Sequence, residues 1–226
     1  MTMNFFNFVE LSHFLIDNYV EKGSIVADCT SGNGFDTLYL CNKLQGSGFI
    51  FSFDVQSEAI NRTRKILDEK CSYTNYKIIK DSHENIDKHI QEDLDFAIYN
   101  LGFLPNYDSQ IKTNPKSTIN SIKKTLGILK KRGILVITVY TGHDESEEKN
   151  EIVRFLEKID QNIYLVMNLK LINVNKYPPE LFIIQKNAWC NDNPSCIFYY
   201  ILIYFYKKIQ NNAIKKSFQS IFLNNE

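Results

Sequence analysis

Two aspartates and two glycines near the start of the chain have the types and spacing of a ligand-binding site. Asp28 ends a short apolar run, Gly32 and Gly34 follow it, and Asp54 ends the next apolar run, 48–53. Glycines let a backbone approach a ligand closely, and an acid about 20 residues after such a loop often meets ribose hydroxyls. The pattern indicates a nucleotide-like ligand, although Gly-x-Gly alone is also compatible with a plain turn.

This loop matches neither of the two best-known nucleotide loops. Thr37 stands where the dinucleotide fingerprint GxGxxG has its third glycine, and no Gly-Lys-Ser or Gly-Lys-Thr follows, as a P-loop would require. Asp36 falls in the first turn of the helix expected after the loop, where the helix dipole favours an acid. Asp36 is therefore interpreted both as a helix cap and as a partner for a positively charged part of the ligand.

Hydrophobic periodicity predicts strands that alternate with helices, and therefore an α/β fold. The carboxyl ends of parallel strands meet at one edge of the sheet, where ligands bind. The predicted strands are 25–27, 48–53, 76–80, 95–99, 134–140, 164–171 and 181–185. The predicted helices are 5–19, 37–43, 57–70, 84–91, 118–131 and 147–159.

Further polar side chains follow the strands of this predicted sheet. Asp81, Ser82 and His83 follow the third strand, Asn100 follows the fourth, and the run 140–143 closes the fifth. Their positions predict that they share the ligand edge with the glycine loop. The alternatives are a loop or capping role for His83 and a plain strand-to-loop turn at Asn100.

Composition narrows the class of protein. The 226 residues, 44% of them hydrophobic, suit one folded domain with a sizeable core. The formal net charge is zero, so a nucleic-acid surface would depend on local lysine clusters. Five scattered cysteines without a CxxC pair argue against a zinc or redox site, and their odd number without a signal peptide predicts a reducing, cytoplasmic location.

The end of the chain is expected to be an extension of a single domain. Residues 1–186 are the predicted domain, and 187–226 the extension. The intensely apolar segment 197–206 has about 10 residues and is too short to span a bilayer as a helix, so no membrane partner is expected. An added strand, a packed helix and an oligomer contact, such as that of a homodimer, all stay open for it.

Asp28 and Asp54, on either side of the glycine turn, resemble the S-adenosylmethionine site of class I methyltransferases. More narrowly, Thr30–Thr37, 53–56 and Asn100–Pro105 resemble the bacterial tRNA 5-aminomethyl-2-thiouridine methyltransferases, once labelled rRNA methylases. Leu-Gly replaces the Pro-Pro of other amino-group methyltransferases, a departure that this tRNA family shares. The resemblance implies S-adenosylmethionine as cofactor and a Rossmann-like fold: a seven-stranded, mostly parallel sheet with helices on both faces and an antiparallel last strand.

The resemblance also implies roles for individual residues. Asn100 and the Leu101 carbonyl would hold a target amine, and His143 or water would accept its proton; no metal is implied. His13 either edges the cofactor pocket or is structural. The implied cofactor-binding residues are Asp28, Thr30, Gly32, Asn33, Gly34, Asp36, Thr37, Asp54, Gln56, Asp81, Ser82, His83 and Asn100. The predicted substrate-binding residues are Gly102, Phe103, Tyr140, Lys112, Lys176 and Tyr177.

The function that the resemblance implies is N-methylation of an aminomethyl group on the wobble uridine of tRNA, with the anticodon region as partner. Two alternatives stay open. One is a methyltransferase of the same fold that acts on rRNA or on a small-molecule amine, and the other is a non-enzymatic nucleotide-binding module. Lys116, Lys123 and Lys124 join Lys112 and Lys176 as candidates for phosphate contacts.

Overall fold

Strands and helices alternate along the chain, as the hydrophobic pattern predicts. The computed structural model describes residues 7–102, 115–140, 147–174, 178–186 and Ile203. The strands are β1 (Ile25–Asp28), β2 (Phe49–Asp54), β3 (Tyr76–Lys80), β4 (Leu94–Leu101), β5 (Leu129–Val139), β6 (Tyr164–Leu169) and β7 (Glu180–Lys186). The helices are α1 (Phe8–Tyr19), α2 (Phe35–Leu44), α3 (Ser57–Lys70), α4 (Ile86–His89), α5 (Pro115–Ile128) and α6 (Glu147–Leu156), and a 3-10 turn (His83–Asn85) precedes α4.

The strands form one sheet in the order β3-β2-β1-β4-β5-β7-β6. The first five strands run parallel, and β7 lies antiparallel between β5 and β6. The strand order reverses at β1 and β4, and in open α/β sheets the ligand binds at such a switch point, outside the carboxyl ends of the strands. The prediction of a seven-stranded, mostly parallel sheet with an antiparallel last strand is confirmed.

The most apolar strands lie in the middle of the sheet, where both of their faces are buried. β1, β4 and β5 are buried along most of their length, as expected for strands that are covered on both faces. Helices α1, α2 and α3 pack against one another in succession, and α4, α5 and α6 form a second group. The largest fully buried side chains are aromatic: Tyr99, Phe53, Phe96 and Phe182. The sheet is therefore a rigid base for the residues at its carboxyl edge.

The segment before β5 departs from the predicted pattern. The helix predicted over 118–131 ends at Ile128, and β5 starts at the next residue. The register between β4 and β5 shifts at residues 130–133, which bulge out of the ladder. Lys130 in this bulge donates to both carboxylate oxygens of Asp95 on β4, at 2.8 and 2.9 Å. This contact joins residues that are 35 positions apart in the sequence.

Four other helices, α1, α2, α4 and α6, also differ from their predicted bounds. α1 begins at Phe8, and its N-cap Asn7 accepts a hydrogen bond from the backbone of Val9 at 3.0 Å. The helix predicted over 84–91 is shorter, because a 3-10 turn occupies its start. Helix α3 matches the predicted range 57–70.

The cysteines are not all free thiols. Cys41 of α2 and Cys71 at the C-cap of α3 form a disulfide, which the prediction of a reducing location did not include. Cys29 is the free cysteine among the described residues, and burial raises the pKa of its thiol.

The chain divides into two compact units, Met1–Trp189 and Cys190–Glu226. Apart from Ile203, the second unit lies outside the described residues, as does most of the predicted extension 187–226.

Candidate active site

The glycine loop follows β1 and lies against α3. Gly34 has a φ of 79°, which an L side chain rarely adopts. A Cβ atom there would lie 2.7 Å from Cγ2 of Ile66 and 2.8 Å from Cα of Thr63, both on α3. Asn33 Oδ1 accepts a hydrogen bond from Arg62 Nη1 on the same helix at 2.8 Å. The loop is thus held close to α3, and glycine is required by the backbone angle and by the close approach.

Asp54, at the end of β2, holds the other side of the loop. Its Oδ2 accepts from the Gly32 N–H at 3.0 Å, and its Oδ1 accepts from the Gln56 N–H at 2.9 Å. Burial raises the pKa of Asp54. A carboxylate has about four acceptor sites, so Asp54 keeps the capacity to accept from a hydroxyl group. Three of the predicted cofactor residues therefore lie together at the carboxyl end of β2.

A buried polar cluster lies beneath the loop. Asp28 accepts hydrogen bonds from the Thr37 hydroxyl at 2.6 Å and from the Thr30 backbone N–H at 3.1 Å. The Thr37 hydroxyl also lies 2.9 Å from Ser52 Oγ. Burial, and next the charge of Asp36, raise the pKa of Asp28 to about 7. The residue at the position of the fingerprint's third glycine, Thr37, therefore bonds through its hydroxyl to this buried acid.

Asn100 lies at the carboxyl end of β4, beside β1. Its backbone N–H donates to Thr30 Oγ1 at 2.6 Å, which joins the strand end to the glycine loop. Its side-chain Nδ2 donates to Asp36 Oδ2, so Oδ1 is left as the acceptor atom of the amide. The Leu101 carbonyl accepts from the Tyr140 N–H at 2.9 Å, which leaves one of its two lone pairs.

His13, on α1, joins the same group of side chains. Its Nε2 lies 2.7 Å from Asp36 Oδ1, and the His13 and Asp36 side chains are 23% and 14% exposed. The imidazole stacks on Tyr39 of α2, with ring centroids 3.8 Å apart and planes inclined by 16°. The resemblance implies that His13 either edges the cofactor pocket or is structural; the structure places it against Asp36, the acid that contacts Asn100.

The residues after β3 make mainly local contacts. Asp81 accepts from the Ser82 N–H and from the Asn85 side chain through Oδ1, and its Oδ2 lies 2.8 Å from His89 Nε2. The hydrogen bond to His89 is the main reason that the pKa of Asp81 is lowered. Ser82 caps the following turn by accepting from the Glu84 N–H at 3.2 Å. Contact of Asp81 and Ser82 with an adenine ring stays a prediction.

His83 is packed inward. It is buried, and its ring meets Tyr99 edge-on at a centroid distance of 5.5 Å. Burial lowers the pKa of His83 to about 4, so its imidazole is neutral near pH 7. A role in lining the adenine ring stays a prediction, beside the packing role that the structure shows.

Three exposed apolar side chains come directly after the glycine loop or after strands that end at the candidate site. Phe35, Val55 and Tyr140 are 62%, 47% and 41% exposed, and they follow the glycine loop, β2 and β5. Of these three residues, only Tyr140 is predicted from the sequence as a site residue. The signal for Phe35 and Val55 is an apolar residue directly after a candidate ligand residue. Tyr140 also lies over Gly102, where a Cβ atom would be 3.3 Å from Tyr140 Cβ. Burial, and next the charge of Asp36, raise the pKa of Tyr140.

The other residues predicted from the sequence make no described contact with the side chains of the candidate site. Lys124 Nζ bonds to Asp87 at 2.9 Å, and Lys123 Nζ lies 5.5 Å from the ring centroid of Phe155. Lys116 begins the first turn of α5, after Pro115. The predicted residues that lie outside the described residues, and stay predictions, are Phe103, Lys112, His143, Lys176 and Tyr177.

Among the described residues, no group of three His, Cys, Asp or Glu side chains is placed to hold a metal ion. No described helix combines the length and the apolar character needed to cross a membrane.

The doubly wound sheet, with the glycine loop after β1 and Asp54 after β2, is the fold of Rossmann-like methyltransferases. A family model described as "Putative rRNA methylase" matches residues 50–185. The chain belongs to this family.

Solved structures and a curated relative agree with this assignment. A protein from Clostridium thermocellum, described provisionally as an rRNA-methylase, is 36% identical with a TM-score of 0.77, over 80% of this chain and 98% of that one. A provisionally described methyltransferase from Streptococcus mutans, in complex with SAH, is 36% identical with a TM-score of 0.72, over 79% of this chain and 97% of that one. The chloroplastic tRNA (mnm(5)s(2)U34)-methyltransferase of Arabidopsis thaliana is 26% identical over 188 residues, 78% of this chain and 69% of that protein.

S-adenosylmethionine is the cofactor, and the residues at the carboxyl edge fit it. Asp54 keeps acceptor capacity for a ribose hydroxyl. Ser31 Oγ is buried within the glycine loop and has no partner among the described residues. When bound, S-adenosylmethionine supplies a methyl group already activated on a positively charged sulfur. The task of the chain is then to orient donor and acceptor and to keep the accepting atom in its reactive form.

Proposed function

We propose that the protein N-methylates the aminomethyl group of 5-aminomethyl-(2-thio)uridine at the wobble position of tRNA, giving the methylaminomethyl form. The anticodon region of tRNA is the proposed partner, in the cytoplasm. The Arabidopsis relative, whose name states a tRNA wobble-uridine methyltransferase, supports this proposal. The description of the family supports an RNA substrate more generally.

The observation that carries the proposal is the Asn100 side chain. Its Nδ2 is engaged by Asp36, so a neutral amide oxygen is the acceptor at the switch point of the sheet. A primary alkylamine is mostly protonated near pH 7 and must lose a proton before its lone pair can attack. A carboxylate in direct contact would favour the charged ammonium form, whereas an amide oxygen accepts an N–H without adding charge. An amine nucleophile therefore suits this site.

The exposed aromatic side chains are consistent with a flipped or unpaired base. Phe35 and Tyr140 follow the glycine loop and β5, at the same edge of the sheet as Asn100. Bases of single-stranded loops, such as an anticodon, are commonly recognised by stacking on aromatic rings. Water or His143 would accept the proton that the amine loses.

Methylation of rRNA is the second candidate, because the family description names it. The two are separated by incubating the protein and labelled S-adenosylmethionine with three RNAs: tRNA that carries aminomethyluridine, the same tRNA without the aminomethyl group, and rRNA. Nucleosides are then identified by mass spectrometry. We expect methylaminomethyluridine from the first RNA alone. Methylation of rRNA, or of tRNA without the amine, would refute the proposal.

The Asn100→Ala variant tests the role of the amide. Loss of one well-placed polar group in an active site costs about 10²-fold or more in turnover. Because the Asn100 side chain is proposed to bind the substrate amine and not the cofactor, the affinity for S-adenosylhomocysteine should change little. If the variant loses cofactor affinity but turns over normally once saturated, Asn100 belongs to the cofactor site instead.

A further inference from the structure

A chain of three side chains connects α1 to the end of β4. His13 Nε2 lies 2.7 Å from Asp36 Oδ1, and the other oxygen of the same carboxylate accepts from Asn100 Nδ2. The three residues come from α1, α2 and β4, and all three side chains are at least partly buried. Every link is a hydrogen bond between groups that lie far apart in the sequence.

The direction of these hydrogen bonds follows from the chemistry of the groups. A carboxylate only accepts, so Asn100 must turn its NH₂ group toward Asp36 and its Oδ1 away from it. An amide without such a partner can rotate by half a turn and present NH₂ to the substrate instead. That orientation would meet an amine with a donor, which cannot accept an N–H. Asp36 therefore selects the useful orientation.

His13 holds Asp36 in place. Its ring is stacked on Tyr39 at 3.8 Å, which restricts the plane of the imidazole and aims Nε2 at the carboxylate. Asp36 is the second residue of α2, two positions after the N-cap Gly34, so its backbone belongs to the first turn of the helix. The carboxylate is thus held from two sides, by its helix and by His13.

We propose that Asp36 and His13 are positioning residues that lock the Asn100 amide with its oxygen toward the substrate. This inference rests on the proposed amine methylation, which supplies the reason for needing an acceptor there. It goes beyond the cofactor role predicted for Asp36 and the pocket-edge role predicted for His13. Neither residue needs to touch the amine.

The test compares five proteins in methyl transfer to tRNA that carries aminomethyluridine. They are the wild type, Asp36→Asn, His13→Phe, His13→Gln, and Glu10→Gln as a control on the exposed side of α1. His13→Phe keeps a ring against Tyr39 but removes the donor, whereas His13→Gln keeps an N–H donor. We expect Asp36→Asn and His13→Phe to lower kcat by about 10- to 100-fold, the usual cost of losing an orienting partner, with KM and cofactor affinity nearly unchanged. His13→Gln should recover most of the loss.

Three results would overturn the inference. One is equal activity of His13→Phe and the control. Another is a His13→Gln variant as slow as His13→Phe. The third is an Asp36→Asn variant whose only defect is weaker binding of S-adenosylhomocysteine, which would make Asp36 a cofactor ligand.

A measurement without turnover separates this inference from the proposed function. The side-chain NH₂ signals of Asn100 in an NMR spectrum can be assigned by their loss in Asn100→Ala. In the wild type, one of these protons should be shifted downfield by the carboxylate, and the shift should disappear in Asp36→Asn. If the wild-type protein leaves the tRNA unmethylated, the proposed function is refuted. The NH₂ signals of Asn100 then test by themselves whether Asp36 orients the amide. Unshifted signals in the wild type would refute it.

Discussion

Replacing Gly34 with alanine perturbs the glycine loop at its tightest point. An L residue at φ 79° pays about 1–2 kcal/mol for the left-handed conformation. The added Cβ would also lie 2.7 Å from Ile66 Cγ2 and 2.8 Å from Thr63 Cα. The second contact is with backbone, which cannot rotate away, so overpacking should cost about 1–3 kcal/mol more. We therefore expect Gly34→Ala to reduce the free energy of unfolding by about 2–5 kcal/mol.

Gly23→Ala is a matched control for this substitution. Gly23 has a φ of 90°, yet nothing lies within 4 Å of the Cβ that would be added there. Gly23→Ala should therefore lower the free energy of unfolding only by the cost of the left-handed conformation, about 1–2 kcal/mol. The gain from a stiffer unfolded chain is the same for both variants and cancels in the comparison.

Urea denaturation at constant pH measures the free energies of unfolding of Gly34→Ala and Gly23→Ala. The two values can be compared if the m-values are equal. Calorimetry with S-adenosylhomocysteine adds a functional readout: Gly34→Ala should bind more weakly, because a displaced loop moves the Gly32 N–H away from Asp54. Equal destabilisation in the two variants would show that the loop does not press against α3, and would refute the reasoning.

Three further predictions concern the cofactor, the RNA and the pH. Asp54→Ala should weaken binding of S-adenosylhomocysteine by about 1.5–3 kcal/mol, measured by calorimetry, and unchanged affinity would exclude Asp54 as a ribose ligand. Combined Lys116→Gln and Lys123→Gln changes should weaken tRNA binding and flatten its salt dependence; a wild-type salt slope would point to another surface. The pKa of Asp28, about 7, means that the folded protein keeps a proton which the unfolded chain releases near pH 4, so stability should fall as the pH rises between these values. Asp28→Asn should flatten that fall in denaturation midpoints, and an unchanged profile would contradict it.

Much of the site could be predicted because strand ends are readable in a sequence. Asp28, Asp54 and Asn100 each follow or end an apolar run, and parallel strands bring such ends to one edge. The alternation of strands and helices gave the sheet for the same reason. Local pattern and a general rule of topology were sufficient for this part.

The contacts within the site could not be predicted, since they join residues without any local relation. Asp36 meets Asn100 across 64 positions and His13 across 23 positions of the sequence. The ion pair between Lys130 and Asp95 of β4 likewise joins residues that are 35 positions apart. The spacing of Cys41 and Cys71 has no signature that would have paired them.

The position of the transferred methyl group tests the central claim most directly. S-adenosylmethionine labelled with ¹³C in its methyl group is incubated with the protein and tRNA that carries aminomethyluridine, and the digested nucleoside is analysed by NMR. We predict that the labelled methyl is bonded to the exocyclic amine nitrogen and couples to the neighbouring methylene. A label on a ring carbon, a ring nitrogen or a ribose oxygen would contradict amine methylation by the Asn100 site.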